Sequence, residues 1–288
     1  MNTRAIVVGT DGTDSSTAAV RWAAREAHRR RQPLRVIHAY EADWAEARYA
    51  AGSEYYDIIR SAAETVAADA VDQARAAAPQ VKVVGQAIIG QPVASLLEQA
   101  ERADLIVLGC RGRGGFSGLL LGSVSQRVAT HASSAAVVVR GDADPPAGSV
   151  AVGVDDAPNA VHVLETAFVE AAGRDAALVV VRSHLPVLPH WPADVLAQET
   201  ATQEQDEAEL ARLKDQLAPW RGKYPDVPVK IVLTHDSAAS ALVDASKHAQ
   251  IVVVGSRGRG LLAGALLGST GLQLLHHAHC PVYLDRQR

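Results

Sequence analysis

The feature that most limits what this chain can fold into is that it repeats itself at the scale of a whole domain. Ile6-Val7-Val8-Gly9-Thr10-Asp11 returns as Val150-Ala151-Val152-Gly153-Val154-Asp155, a shift of 144 residues from Asp11 to Asp155, and Gly109 returns as Gly255, a shift of 146. A solenoid would repeat every 20–50 residues or so, so the spacing means tandem duplication of a complete unit. At 288 residues the chain has room for two domains of ordinary size. The Gly/Pro/Asp-rich stretch Gly141 to Ser149 is a natural seam. The expected layout is a first domain over 1–141, a linker over 142–148 and a second domain over 149–288.

Within each half, short runs of Val, Ile and Leu alternate with longer helical patterns, as in parallel βαβ units. In the first half the pattern predicts strands near 4–9, 34–39, 81–89, 104–109 and 135–140. The helices between them are expected near 15–30, 57–78, 92–102 and 119–131. The second half predicts strands near 150–154, 177–183, 228–234, 250–255 and 281–284. A Pro-rich surface excursion is expected over Leu185 to Pro192, and a sheet-packing helix around Glu199 to Leu217. Runs such as Leu105-Ile106-Val107-Leu108 and Ile251-Val252-Val253-Val254 are apolar on both faces, which fits strands covered by helices on both sides. Each half is therefore expected to be a doubly wound sheet.

A second repeat lies at the predicted carboxyl end of the fourth strand in each half. Residues 109–123 read GCRGRGGFSGLLLGS and residues 255–269 read GSRGRGLLAGALLGS. Both keep the skeleton Gly, two residues, Gly, nine residues, Gly-Ser. Ligands of open α/β sheets bind beyond the carboxyl ends of the strands. Glycines there let backbone N–H groups approach a ligand, and the N-terminus of the following helix favours an anion. Arg111, Arg113, Arg257 and Arg259 add positive charge, and Ser123 and Ser269 offer hydroxyls. The arrangement reads as a phosphate cradle. It contains no Gly-Lys-Ser/Thr, and it does not open the first βα turn, so it is neither a Walker A loop nor a dinucleotide fingerprint.

These residues resemble the universal stress protein family, in its ATP-binding branch, over essentially the whole chain in two modules. The resemblance implies two tandem flavodoxin-like domains of the HUP, adenine nucleotide alpha hydrolase-like, class, each an α/β fold with a five-stranded parallel sheet flanked by helices. It implies one adenine-nucleotide site per domain. In the first half the expected site residues are Gly9, Asp11, Ala39, Gly109, Arg111, Gly112, Arg113, Gly114, Gly115, Gly122, Ser123 and Val124. In the second they are Gly153, Asp155, Ser183, Gly255, Arg257, Gly258, Arg259, Gly260, Gly268, Ser269 and Thr270. Asp11 and Asp155 fall where the family places an aspartate near the ribose, and Ala39 and Ser183 where a strand end lines the adenine. The family's Gly-x-Pro turn after the third strand is matched by Gly90-Gln91-Pro92, but the second half reads Asp236-Ser237-Ala238. The second site is therefore expected to bind more weakly. Asp236 brings a carboxylate unless it turns outward to cap the helix, and Ser183 brings a hydroxyl that needs a partner.

The expected cofactor is ATP, with Mg²⁺ as an accompaniment that Asp11 or Asp155 would help to hold. One carboxylate per site is too little for a metal-assisted phosphoryl-transfer centre. No residue is therefore assigned a catalytic role, and the chain is read as a regulatory nucleotide-binding protein, with a slow ATPase or nucleotidyl-transfer enzyme as the alternative. The expected assembly is a homodimer that meets a further protein partner whose identity the sequence leaves open. The formal net charge of −4 gives no basis for nucleic-acid binding. No apolar stretch reaches the roughly 18 residues of a membrane span, and the start lacks a signal-peptide pattern, so a cytoplasmic location is expected. Cys110 and Cys280 are not equivalent between the halves and suggest no disulfide framework or metal pair. The cluster His276-His277-Ala278-His279-Cys280 is read as a charge complement to a helix C-terminus rather than as a metal site.

Overall fold

The computed structural model describes residues 5–41, 53–112, 120–141, 143, 147–185, 195–256 and 267–286. The chain forms two compact units. One comprises Met1–Asp144 together with Leu275–Arg286, and the other comprises Pro145–Leu274.

The first unit runs β1 (Ala5–Gly9), α1 (Asp14–Arg30), β2 (Leu34–Tyr40), α2 (Ser53–Ala77), β3 (Val83–Ile89), α3 (Pro92–Glu101), β4 (Ala103–Gly109), α4 (Ser123–His131) and β5 (Ala135–Val139). The strands lie in the order β3-β2-β1-β4-β5, and every pairing among them is parallel. Ile6, Val7 and Val8 of β1 and Leu105, Ile106 and Val107 of β4 have no exposed surface, because helices cover the sheet on both sides. Each such side chain contributes about 1.5–3 kcal/mol through burial. The α1 helix begins where the Thr13 hydroxyl accepts from the Ser16 amide, and it buries a small-residue face of Ala19, Ala23, Ala24 and Ala27. Those alanines let the helix lie close over the sheet.

The chain steps from β1 outward to β2 and β3, then returns across β1 to β4 and continues outward to β5. The strand order therefore reverses between β1 and β4, and connecting segments leave the sheet in opposite directions there. The crevice at such a switch point is where this class of sheet admits ligands. The strand-end glycines, Gly9 and Gly109, stand at its rim.

The second unit runs β6 (Ser149–Gly153), α5 (Ala160–Gly173), β7 (Leu178–Ser183), α6 (Val195–Lys223), β8 (Val229–Thr234), α7 (Ala238–Ala245) and β9 (Ala249–Gly255), and α8 (Ser269–His277) begins within it. Its parallel strands take the matching order β9-β6-β7-β8. Even an irregularity is duplicated: the β1–β4 register shifts between Ala5 and Ile6, and the β6–β9 register between Ser149 and Val150.

Several boundaries differ from the sequence reading. The strand expected from residue 81 starts at Val83, because the Val81 amide still donates to Ala78 O in the turn that follows α2. The helix expected from residue 119 starts at Ser123, after Gly122 at its N-cap. The helix expected over Glu199 to Leu217 extends from Val195 to Lys223, and Leu213 and Leu217 are fully buried. Leu185 is exposed, and the rest of the expected excursion lies outside the described residues.

The last strand, β10 (Val282–Asp285), belongs by its contacts to the first unit. It pairs antiparallel with β5, with Val282 opposite Val138 and Leu284 opposite Ala136. The β5 strand is buried at every residue, and an uncovered strand of that kind would expose its backbone donors and acceptors. Among the described residues no helix is long and apolar enough to cross a membrane.

A candidate nucleotide site in the first unit

A cavity of about 560 Å³ opens at the switch point of the first unit. Gly9 and Asp11 line it from the end of β1, and Ala39 lines it from the end of β2. Gly109, Arg111 and Gly112 bound it from the glycine loop, and Gly122, Ser123 and Val124 from the start of α4. The fold thus brings all nine of the described first-half candidates to one cavity. Arg113, Gly114 and Gly115 lie outside the described residues. Pro92, from the Gly-x-Pro turn matched in the sequence, lines the cavity too, and so do Thr10, Tyr40 and Leu96, which were not singled out there. The Gly90-Gln91-Pro92 turn gave the available signal for Leu96 as well, since α3 starts at Pro92 and Leu96 follows in its second turn.

The loop geometry explains the glycines. A Cβ on Gly109 would stand 2.6 Å from the Ser15 carbonyl oxygen, so the N-terminal turn of α1 excludes any side chain there. A Cβ on Gly112 would stand 2.7 Å from Oδ2 of Asp11. The carboxylate and the loop backbone therefore pack against each other. Hydrogen bonds hold the remainder: the Gly122 amide donates to Cys110 O at 2.8 Å, the Arg111 amide to Ser15 Oγ at 3.0 Å, and Ser125 Oγ to Gly109 O at 2.6 Å. The Ser123 end of α4 is thereby tied to the end of β4. Backbone N–H groups at a helix N-terminus are suited to an anion.

Asp11 also has a local structural role. Its Oδ1 accepts from the Thr13 amide at 3.1 Å and from Thr13 Oγ1 at 2.7 Å, and Thr13 in turn caps α1. The N-cap is therefore Thr13, and Asp11 braces it from the cavity wall. At the end of β2, His38 is buried and its Nδ1 lies 2.8 Å from Thr10 O, which ties the ends of β1 and β2 together. Cys110 is half-buried with Sγ 3.6 Å from Ser15 Oγ, in the turn that leaves β4.

The second unit keeps part of this arrangement. Asp155 Oδ1 accepts from the Ala157 amide at 3.0 Å, as Asp11 does from Thr13, and the Gly268 amide donates to Ser256 O at 3.0 Å, as Gly122 does to Cys110. Gly153 and Gly255 end β6 and β9, and Ser269 and Thr270 open α8. Arg257, Gly258, Arg259 and Gly260 lie outside the described residues. Ser183 differs from the sequence concern: its hydroxyl donates to Asp236 O at 2.7 Å and has the partner it needs. Helix α7 is capped by Ser237, whose Oγ accepts from the Ser240 amide, so Asp236 does not serve as the cap.

Sequence reasoning missed a buried ion cluster at the corresponding edge of the second unit. Arg182 stands on β7 where His38 stands on β2. Its Nε donates to Glu209 Oε1 at 2.7 Å, its Nη2 pairs with Asp156, and its Nη1 donates to Val154 O at 3.4 Å, much as His38 reaches Thr10 O. Arg182 and Glu209 are both buried. The signal was present in the sequence as Asp155-Asp156, where the first half reads Asp11-Gly12, and as an arginine directly after the apolar run Leu178-Val179-Val180-Val181 of its strand.

The histidine cluster also reads differently in the structure. His276 and His277 do fall in the last turn of α8, but burial holds the His276 pKa below its ordinary value, and the neighbouring His277 and Arg140 lower it further. His276 is therefore biased toward the neutral form and is a poor charge complement for a helix end. Arg140 takes that place by donating to Leu275 O. No group of three or more potential metal ligands occurs among the described residues.

The fold and the cavity define a class: a duplicated, doubly wound α/β protein whose first unit carries a ligand-sized crevice walled by a glycine loop. The chain belongs to the Universal stress protein family, whose sequence model matches residues 2–140 and again 147–286. It is 37% identical over 295 residues to Universal stress protein Rv2005c of Mycobacterium tuberculosis, covering 98% of this chain and 97% of that protein. It is 35% identical over 292 residues to Universal stress protein Rv2623 of the same organism, covering 98% and 96%. Its fold is similar to that of a crystal structure of a universal stress protein from Archaeoglobus fulgidus, with a TM-score of 0.69, 19% identity and complete coverage of both chains.

Proposed function

We propose that the chain is a nucleotide-responsive regulatory protein that binds ATP in the crevice of its first unit. The observation that carries this reading is the cavity of about 560 Å³ that gathers the glycine loop, the start of α4, Asp11 and Ala39 around one space. The residues present suit such a ligand chemically. The backbone of Gly109 to Gly112 and the N-terminus of α4 would face the phosphates, with Ser123 as a hydroxyl donor and Arg111 as a cation. Asp11 would accept from the ribose, while Ala39, Pro92 and Leu96 give the base an apolar wall. Mg²⁺ would accompany the phosphates beside Asp11.

Universal stress proteins are generally regulatory rather than enzymes, which supports reading ATP as a ligand that favours one conformation for a protein partner. The duplicated loop, the Asp155 turn and the Gly268 hydrogen bond favour a second adenine-nucleotide site in the second unit. A homodimer in the cytoplasm is the expected setting. The test is direct: denature freshly purified protein, identify and count the nucleotide released, then titrate the emptied protein with ATP, ADP, AMP and GTP. Adenine nucleotide should be recovered, and ATP should raise the melting temperature, since a ligand at 100 times its Kd adds about 2.7 kcal/mol. Absence of a melting shift with every adenine nucleotide would overturn the reading. Steady ATP turnover by the pure protein would favour a slow ATPase instead.

A further inference from the structure

The guanidinium of Arg286, just past β10, closes over the far end of the helix that opens at the candidate site. Its Nη2 donates to Ala129 O at 2.5 Å and to Thr130 O at 2.7 Å, and its Nη1 donates to Ala132 O. The last carbonyls of a helix have no partner within the helix, and a cation there complements the negative end of the helix dipole. Helix α4 has nine residues, Ser123–His131, and so is about 13 Å long. Arg286 is therefore too distant to touch a ligand at Ser123. At the cavity end the helix is fixed by Ser125 Oγ donating to Gly109 O. The short helix is held at one end by the glycine loop and at the other by an arginine about 150 residues later in the chain.

The device occurs twice. Arg140, placed 146 residues before Arg286, follows β5 as Arg286 follows β10, and donates to Leu275 O in the last turn of α8. Helix α8 starts at Ser269, the Gly-Ser of the second glycine loop. Each of the two glycine loops thus leads into a short helix whose carboxyl end receives an arginine that follows a terminal strand.

We propose that Arg286 is a positioning residue for the phosphate end of the first-unit site, acting through α4. The inference rests on the nucleotide reading above. It makes the C-terminal strand part of the first unit's ligand-binding apparatus, although no residue of that strand lines the cavity. Because α4 meets the phosphates and not the base, its position should affect ATP and leave adenosine alone. A merely structural role would move both ligands together.

The experiment uses the full chain with Gly258→Glu, which disables the second loop, and measures ATP and adenosine by calorimetry. Arg286→Ala should weaken ATP by about tenfold, the scale of a favourably placed charge at a helix end, and change adenosine by less than about twofold. Arg286→Lys, which keeps the cation, should recover much of the ATP affinity. If Arg286→Ala does not fold, Arg286→Gln carries the comparison, because it keeps an amide donor and removes the charge. Unchanged ATP affinity in the folded Ala or Gln variant, or an equal loss for ATP and adenosine, would overturn the proposal. A parent protein that binds no adenine nucleotide would overturn the nucleotide reading itself, and this inference with it.

Discussion

Removing the carboxylate of Glu209 should destabilise the second unit far more than an average surface substitution. Arg182 and Glu209 have side-chain exposures of only 5% and 6%, and the guanidinium approaches that carboxylate through two nitrogens, at 2.7 Å and 2.5 Å. Asp156, with 30% exposure, and the Val154 carbonyl remain as partners after the change, but neither replaces the buried counter-charge. The second cation on Glu209, Arg212 at 3.1 Å, is 66% exposed and its attraction is screened by water. Breaking a buried pair by deleting one partner costs about 3–5 kcal/mol, and the retained Asp156 contact places Glu209→Ala near the low end, about 3 kcal/mol. Replacing both members with apolar residues removes the stranded charge, so Arg182→Met with Glu209→Leu should recover to within about 1 kcal/mol of the parent. Urea denaturation of the single and double variants, read by circular dichroism, supplies both numbers. A loss below about 1 kcal/mol for Glu209→Ala, or a double variant as unstable as the single, would refute the reasoning that the pair offsets its own burial.

Gly112→Glu should abolish nucleotide uptake by the first unit without unfolding it, since the new side chain, whose Cβ would lie 2.7 Å from Asp11 Oδ2, would crowd that carboxylate with a second one; unchanged ligand stoichiometry after denaturation would count against a phosphate role. Asp11→Ala should lower stability by about 1 kcal/mol through loss of the Thr13 brace and also weaken ATP more than inorganic triphosphate, as compared by calorimetry. His276 has a depressed folded pKa, so its contribution is fully present above the unfolded value of about 6.5 and declines as pH falls through that value toward the folded one. Melting curves between pH 8 and pH 5 should therefore show a smaller acid-side loss in His276→Gln than in the parent, and parallel curves would refute it. The second unit should bind ATP more weakly than the first, because Asp236-Ser237-Ala238 replaces the Gly-x-Pro turn; calorimetry on Gly112→Glu and Gly258→Glu compares the two sites, and equal affinities would show the replacement to be neutral.

The duplication, the parallel α/β class and the glycine-loop candidates were all legible in the sequence, because each depends on local chemistry. Runs such as Ile6-Val7-Val8 and Leu105-Ile106-Val107 can bury both faces only under helices, and a glycine skeleton kept in two places marks backbone that a side chain would obstruct. Those rules operate over a few residues, so a linear reading reaches them. Three things were decided only by tertiary structure. Ser15 and Asp11 press on Gly109 and Gly112 from segments about 100 residues away, and that contact, rather than turn geometry alone, is what excludes side chains from the loop. The cluster of buried Arg182 and Glu209 with the partly exposed Asp156 joins three segments, and although an arginine beside an apolar run hints at a buried charge, only the fold shows which two carboxylates meet it. The last strand, which the periodicity assigned to the second half, packs in the first unit, where it covers β5 and brings Arg286 to the end of α4. Hydrophobic pattern determines that a segment becomes a strand, but the choice of neighbour depends on which buried edge lacks a partner, and that is a property of the assembled sheet.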